Sequence, residues 1–306
     1  MSALHPSRIV LHCGIHKTGS TYLQRNLQSN RALLLQHGIL YLGPNTIKKQ
    51  CRELWSFLQW GQWNRPPSAK LREKTLQTLV GLAGDHPANI HTILISFESI
   101  FGTLRTGLIK AGQKRKKPAN GENKRGLYRY ARARTKRLII GLEQALSTEA
   151  IEWTILFASR ESSSFARSCY TQLIKEGHDL SAIPIETFVQ SADFASINPE
   201  ELEASLNRLK QKRRVTIDRF RYEDTISASD PTRVLWAVLE RALPQQAREL
   251  RGALTADTEN PNLQRLPNPG LSERGLELAT QARPLFNKRE WKLFRKFLEK
   301  NFTKTA

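Results

Sequence analysis

The stretch from Arg8 to Gln28, RIVLHCGIHKTGSTYLQRNLQ, constrains the fold more than any other part of the chain. Consecutive apolar residues at 9–11 predict a short strand that is buried on both faces. Gly14 ends this strand, and two leucines at helical spacing, Leu23 and Leu27, predict that a helix follows. Such a strand, turn and helix form an anion site, because the free N–H groups of the first helical turn and the positive end of the helix dipole point at the ligand.

Lys17 lies inside this turn, and its position distinguishes the stretch from a nucleotide-hydrolysing P-loop. The sequence from Gly14 to Gly19 fits the start of G-x-x-x-x-G-K-[ST], but Ser20 stands where that motif needs lysine. The turn can therefore hold a phosphate and place one cation on it, but it does not match a site for the triphosphate of ATP or GTP. A glycine and serine turn before an ordinary helix is the alternative.

The pattern H-x-G-x-x-K-T-G-S-T-x-L-Q, from His12 to Gln24, resembles the 5′-phosphosulfate loop of sulfotransferases that use 3′-phosphoadenosine 5′-phosphosulfate (PAPS), particularly the bacterial branch. The resemblance covers roughly residues 8 to 300 and is most specific in this loop. It implies that PAPS is bound, and 3′,5′-ADP released, by Lys17, Thr18, Gly19, Ser20, Thr21 and Tyr22.

A second anion site is predicted at the end of a later strand. The run at 151–160 is a strand that ends in Arg160, and a helix that begins around Phe165 carries Ser168, eight residues after the arginine. An arginine fork and a serine hydroxyl can together clasp one phosphate. Two separate anion sites fit PAPS, which carries a 5′-phosphosulfate and a 3′-phosphate, whereas the phosphates of ATP are contiguous.

The spacing of Arg160 and Ser168 also resembles the 3′-phosphate motif of the sulfotransferases. Glu161-Ser162 stand where the family often has Asp-Pro, which puts the geometry of this local turn in question. The run RYED at 221–224 resembles one that ends a late strand in many sulfotransferases, where the tyrosine, here Tyr222, lies near the adenine. A half-buried strand aromatic is the alternative for Tyr222.

Glu98 is the candidate general base for the transfer. It ends the strand predicted at 91–98, and parallel sheets bind ligands at the carboxyl ends of their strands. Sulfuryl transfer is an in-line displacement, so the acceptor must lose a proton on the side opposite the leaving group. In similar sulfotransferases a Glu or His at this strand end takes that proton. His16 in the loop and His12 on the first strand are the rival candidates, while Lys17 would neutralise the leaving oxygen.

Alternating strand and helix patterns predict the fold class. Helical patterns separate strands at 8–11, 91–98, 151–160 and 213–225 and an extended piece at 39–44. This order predicts a three-layer α/β fold with a doubly wound parallel sheet. With the family resemblance, we expect a P-loop architecture of the sulfotransferase and nucleotide-kinase type, in a single domain over residues 1–306.

The chain of 306 residues has a formal net charge of +20 at pH 7, from 48 Lys and Arg against 28 Asp and Glu. Much of this charge lies at 105–137, which holds thirteen Lys and Arg and one acid, Glu122. Within it, 105–126 has few large apolar residues, which predicts a flexible basic insertion. The helix predicted at 128–147 is either a basic wall for an anionic partner or a solvated helix. We expect a small-molecule, glycan or lipid acceptor and no nucleic acid, and the basic stretch suggests that the acceptor is anionic.

The sequence predicts a cytoplasmic protein without a resident metal. No apolar run approaches about 18 residues, and the start of the chain lacks a signal-peptide pattern. The three cysteines are too few and too scattered for a disulfide framework or a zinc cluster, so we expect buried packing residues.

Three hypotheses about the function are compatible with the sequence. The first is a PAPS-dependent sulfotransferase, the second a P-loop kinase, and the third a non-catalytic protein that binds polyanions through 105–137. The last helix, at 288–300, is basic and amphipathic. Docking onto the core is the ordinary explanation for its apolar side, and peripheral membrane contact is the alternative.

Overall fold

The computed structural model describes residues 4–14, 18–60, 65–102, 127–148, 150–190, 198–227, 230, 232–256 and 270–303. The strands within these ranges are β1 Arg8–His12, β2 Ile39–Leu42, β3 Thr92–Ser96, β4 Glu152–Ser159 and β5 Val215–Arg221. The α-helices are α1 Ser20–Ser29, α2 Arg31–Gln36, α3 Arg52–Trp60, α4 Ala69–Ala83, α5 Ala131–Ala145, α6 Ser162–Lys175, α7 Ile185–Val189, α8 Pro199–Asn207, α9 Arg233–Ala242, α10 Ala247–Ala256, α11 Glu273–Ala282 and α12 Lys288–Asn301.

These strands form a parallel sheet in the order β2-β3-β1-β4-β5. β1 lies at its centre, where Ile9 is level with Ile93 of β3 on one side and with Trp153 of β4 on the other. The predicted α/β class with a parallel sheet is therefore confirmed. The extended piece predicted at 39–44 is the edge strand β2, which pairs with β3.

Helices pack on both faces of the sheet, an arrangement compatible with a three-layer fold. Successive residues of a strand face opposite ways, so Ile9 and Leu11 pack into a cluster with α3 to α6, and Val10 packs into a second cluster with α1, α2 and α9. Crossovers between parallel strands are right-handed, so the chain leaves β1 toward one face and leaves β3 and β4 toward the other. The carboxyl end of β1 is thus a switch point, where open α/β sheets bind ligands.

The basic helix predicted at 128–147 is more deeply buried than a solvated helix. Arg137 of α5 is 9% exposed, and its guanidinium donates to Leu58 O at 2.7 Å and to Phe57 O at 3.2 Å. These carbonyls belong to the last turn of α3, where a helix leaves its carbonyls without partners. An arginine of the basic helix therefore caps α3. The basic insertion at 105–126 lies outside the described residues.

Some local features agree with the sequence prediction and others were not predicted. A π-helical turn, Thr46–Gln50, and helix α10 were not predicted. Cys13, Cys51 and Cys169 are free and buried, as expected of packing residues. In the described parts of the chain, no helix has both the length and the apolar character needed to cross a membrane.

Candidate functional site

The turn between β1 and α1 depends on two glycines. Gly19 is the N-cap of α1 and has a φ of 75°, a left-handed conformation that glycine adopts at little cost. At Gly14, a β-carbon would lie 2.6 Å from Thr18 Oγ1 and 3.0 Å from Ser20 Oγ, so a larger residue would collide with both hydroxyls. The lack of a side chain at Gly14 therefore leaves room for these two hydroxyls beside the chain that leaves β1.

This turn has the physical character of an anion site. The first turn of α1 contains no acidic residue among the positions the structure describes. Its first intrahelical bonds run from the N–H groups of Tyr22 and Leu23 back to Gly19 O, at 2.9 and 3.2 Å. The N–H groups of Ser20 and Thr21 precede these bonds and lie at the positive end of the helix dipole, which favours an anion.

Not every predicted loop residue takes part in the turn. Lys17 and His16 lie outside the described residues, so their roles stay predictions. Thr21 is exposed in the first turn of α1. Tyr22 packs its ring into the apolar layer between α1 and the sheet, and burial raises the pKa of its hydroxyl. The side chain of Tyr22 therefore faces the core, and its backbone belongs to the turn.

Arg160 lies one residue past β4, where the sequence predicts a second anion site. Its guanidinium donates to Ser164 Oγ, which lies 3.1 Å from Nε and 2.8 Å from Nη2. It also stacks on Tyr222, with Cζ 5.2 Å from the ring centroid. Tyr222 borders the first site too, because its Cε2 lies 3.8 Å from where a β-carbon of Gly19 would stand. Gly19, Tyr222 and Arg160 thus lie near one another at the carboxyl end of the sheet, and the Tyr222 ring is the side chain that Arg160 contacts.

The early start of α6 brings Ser164 to Arg160. Glu161 accepts hydrogen bonds from Ser163 N at 2.8 Å and from Ser164 N at 2.6 Å, and so caps a helix that begins three residues before its predicted start. These bonds lower the pKa of Glu161, with the largest effect from Ser164 N. Ser168 lies one turn beyond Ser164 on the same side of α6, and its predicted role stays a prediction.

Glu98 begins a short 3-10 turn two residues beyond the end of β3. Gln24 of α1 donates to Glu98 Oε2 at 2.8 Å and to Ser96 O at 3.3 Å. The half-buried carboxylate is therefore tied to the helix that starts at the candidate anion site. Gln24 ends the loop pattern that begins at His12, but its contact with Glu98 was not predicted from the sequence.

His12, the rival base on β1, is 2% exposed, and its Nδ1 lies 3.0 Å from Ser96 Oγ. Burial lowers the pKa of His12 to about 4, and the charge of Glu98 offsets only part of this effect. At neutral pH the imidazole is uncharged, and its burial keeps it from reaching a substrate. It is suited to holding the ends of β1 and β3 together, whereas the half-buried Glu98 is the more accessible of the two candidates.

The burial of His12 predicts that the protein loses stability in mild acid. Between its usual pKa of 6.5 and about 4, the unfolded chain binds a proton that the folded chain does not. The contribution of His12 to the free energy of unfolding is therefore complete above pH 6.5. It is lost as the pH falls to 4, and the total loss is about 3 kcal/mol. We expect His12→Asn to unfold with a shallower pH dependence in this window, as measured by urea denaturation.

The exposed His86 provides the control for this measurement, because its substitution by asparagine removes a histidine without removing a buried one. His86→Asn should keep the pH dependence of the wild type. Equal slopes in the wild type and in His12→Asn would contradict the prediction.

Comparisons of this chain with protein-family models, curated proteins and solved structures gave no match. Within the described residues, no group of three or more His, Cys, Asp or Glu side chains could hold a metal ion.

Proposed function

We propose that this protein is a PAPS-dependent sulfotransferase with a doubly wound, P-loop type α/β fold. It would move a sulfuryl group from PAPS to a hydroxyl or amine of an acceptor such as a carbohydrate or a lipid. The observation that carries the proposal is the nearness of Gly19, Tyr222 and Arg160 at the carboxyl end of the sheet. It brings the turn that resembles a 5′-phosphosulfate loop close to the arginine that resembles a 3′-phosphate clasp.

The described residues fit a nucleotide with two separate anionic groups. Gly19 permits the close approach of backbone N–H groups to an anion at the start of α1. Arg160 is held from two sides, by Ser164 and by the Tyr222 ring, so its fork is oriented before a ligand binds. The half-buried ring of Tyr222 lies near both Gly19 and Arg160, where it would offer a face to the adenine.

When bound, PAPS would supply the sulfuryl group and a phosphate leaving group. Lys17 would neutralise the charge that develops on the bridging oxygen, and Ser20 and Thr21 would donate hydrogen bonds to the non-bridging oxygens. Glu98 would accept the proton of the acceptor hydroxyl. Because Gln24 binds Glu98 Oε2 and fixes the carboxylate, we assign this proton to Oε1.

The surroundings of Glu98 support an anionic acceptor. Arg134 of α5 donates to the carbonyl one residue beyond Glu98, at 3.5 Å. Gly102, four residues after Glu98, lies against the carbonyl of Leu127. Gly102 and Leu127 therefore lie together, and the sequence between them holds the basic stretch 105–126. An acidic glycan or an anionic lipid headgroup would suit this charge.

The proposal is tested by comparing 3′,5′-ADP with AMP, which lacks the 3′-phosphate, in the wild type and in Arg160→Gln. In the wild type we expect the 3′-phosphate to strengthen binding by about 2 kcal/mol, roughly 30-fold in Kd, because it gains a charge-assisted hydrogen bond. In Arg160→Gln the two nucleotides should bind almost equally. Isothermal titration calorimetry measures all four dissociation constants, and their cycle isolates the pair.

Arg208→Gln is the matched control, because this exposed arginine lies at the end of α8 and is not one of the candidate nucleotide contacts. It should keep the wild-type difference between the nucleotides. An equal gain from the 3′-phosphate in the wild type and in Arg160→Gln would contradict the role of Arg160. Strong thermal stabilisation by ATP, with none by 3′,5′-ADP, would overturn the sulfotransferase proposal and favour the kinase.

A further inference from the structure

Large apolar side chains are exposed together near the end of the chain. Leu285 is 79% exposed in the 3-10 turn Arg283–Leu285, and Leu293 and Phe297 of α12 are 64% and 51% exposed. Leu293 and Phe297 stand four positions apart, so they lie on one side of the helix. Exposed apolar groups that cluster in this way mark a contact surface more often than scattered ones do.

This exposed pair is not needed to hold α12 on the protein. Trp291 and Leu298 are the buried residues of the helix, and Trp291 Nε1 also donates to Lys175 O at 3.3 Å. Phe297 lies at the edge of the helix side that carries these buried residues, stacked on Phe294 with ring centroids 6.0 Å apart.

The outward side of α12 is strongly basic. Its acids are already engaged, because Glu290 completes a capping box with Asn287 and Glu299 pairs with Lys175 at 2.9 Å. Five cations of the helix are exposed, and none of them forms an ion pair with a described residue: Lys288, Arg289, Lys292, Lys296 and Lys300. The helix therefore presents a positive face bordered by the exposed apolar pair.

We propose that α12 docks the protein on the surface of an anionic lipid bilayer. The basic face complements the negative charge of the lipid headgroups, and the apolar pair would enter the boundary between headgroups and acyl chains. A nucleic acid or a sulfated glycan could satisfy the lysines but would leave Leu293 and Phe297 unused. The combination of both kinds of side chain on one helix favours the bilayer.

This surface is separate from the candidate site. Arg160 stands just before the start of α6, and Lys175, the last residue of α6, contacts α12. A helix of 14 residues is about 21 Å long. Helix α12, which is proposed to contact the bilayer, and Arg160 therefore lie at opposite ends of α6. Lipid binding can therefore be tested without reference to sulfuryl transfer.

The test is co-sedimentation of the full chain with vesicles of mixed phosphatidylserine and phosphatidylcholine, compared with vesicles of phosphatidylcholine alone. We expect binding to the anionic vesicles only, and weaker binding at high salt. The triple variant Lys288→Gln, Lys292→Gln, Lys296→Gln should bind on the order of 100-fold more weakly, because each basic residue near the surface contributes roughly fivefold. The double variant Leu293→Ser, Phe297→Ser should bind at least about tenfold more weakly.

Each variant has a matched control elsewhere on the surface. Lys49→Gln, Lys70→Gln, Lys210→Gln removes the same charge from exposed positions, and Ile183→Ser, Ile226→Ser removes other exposed apolar residues. Both controls should bind like the wild type, and circular dichroism should show every variant folded. Equal losses of binding in the two triple lysine variants would overturn the proposal. Wild-type binding by the Leu293→Ser, Phe297→Ser variant would overturn it in favour of a soluble polyanion.

Discussion

Replacing Glu98 with glutamine is expected to lower kcat for sulfuryl transfer by about 100- to 10,000-fold, the usual effect of losing a general base. Glutamine has the same size as glutamate and keeps an oxygen for Gln24, which donates to Glu98 Oε2 at 2.8 Å. Binding of 3′,5′-ADP should not change, because the proposed nucleotide contacts are made by the α1 turn and Arg160. Kinetics with labelled PAPS, together with calorimetry for 3′,5′-ADP, measure the two quantities separately.

Glu223→Gln is the matched control for this experiment. Glu223 is another carboxylate at the carboxyl end of the sheet, and it accepts the N–H of Glu161 at 3.0 Å, a bond that an amide oxygen can also accept. This variant should keep the kcat of the wild type. If Glu98→Gln also keeps it, Glu98 is not the base and His16 becomes the candidate. A variant that loses 3′,5′-ADP affinity along with kcat would point to a disturbed fold.

The strands could be predicted because each carries its own signal in the sequence. Short runs of consecutive apolar residues, such as 9–11 and 93–95, suit a strand that is buried on both faces. The order of the strands has no such local signal, because it depends on which apolar faces meet in the folded chain. Helix α10 was not predicted, and among its residues whose side chains the structure describes it buries Ala247 and Leu250.

The candidate site could be predicted where its residues end a strand, as Glu98 and Arg160 nearly do. Gln24 could not, because its partner Glu98 is 74 positions away and comes within reach only when β1 and β3 lie side by side. Ser164 was not predicted because the sequence pattern indicated a start of α6 around Phe165. In the structure Glu161 caps the helix, which begins at Ser162. Both omissions are side chains that orient a predicted residue.

The last helix shows the same division between local and tertiary information. Its bounds, predicted at 288–300, agree closely with α12 because the amphipathic pattern is a local property. Which of its apolar residues are buried depends on the neighbouring helices. Trp291 reaches Lys175 and is buried, whereas Phe297 lies at the edge of the contact and stays half exposed.

Replacing Lys17 with alanine is expected to lower kcat by about 100- to 1,000-fold, because the cation aimed at the leaving oxygen is lost. The KM for PAPS should change less, since the charge on that oxygen develops mainly in the transition state. Lys17→Arg should recover only part of the rate, because a planar guanidinium does not replace the compact ammonium group. Steady-state kinetics with labelled PAPS, at saturating acceptor, measure both constants.

Lys49→Ala is the control that separates a specific cation from general charge. Lys49 is exposed in the π-helical turn after β2, so its loss lowers the net charge by the same unit as Lys17→Ala. A sulfotransferase should be slowed only by the change at Lys17. In a non-catalytic polyanion binder, both changes should have the same effect on the affinity for the polyanion, and this affinity should depend steeply on salt. Equal kcat in the two variants would mean that the turn between β1 and α1 is not the catalytic centre.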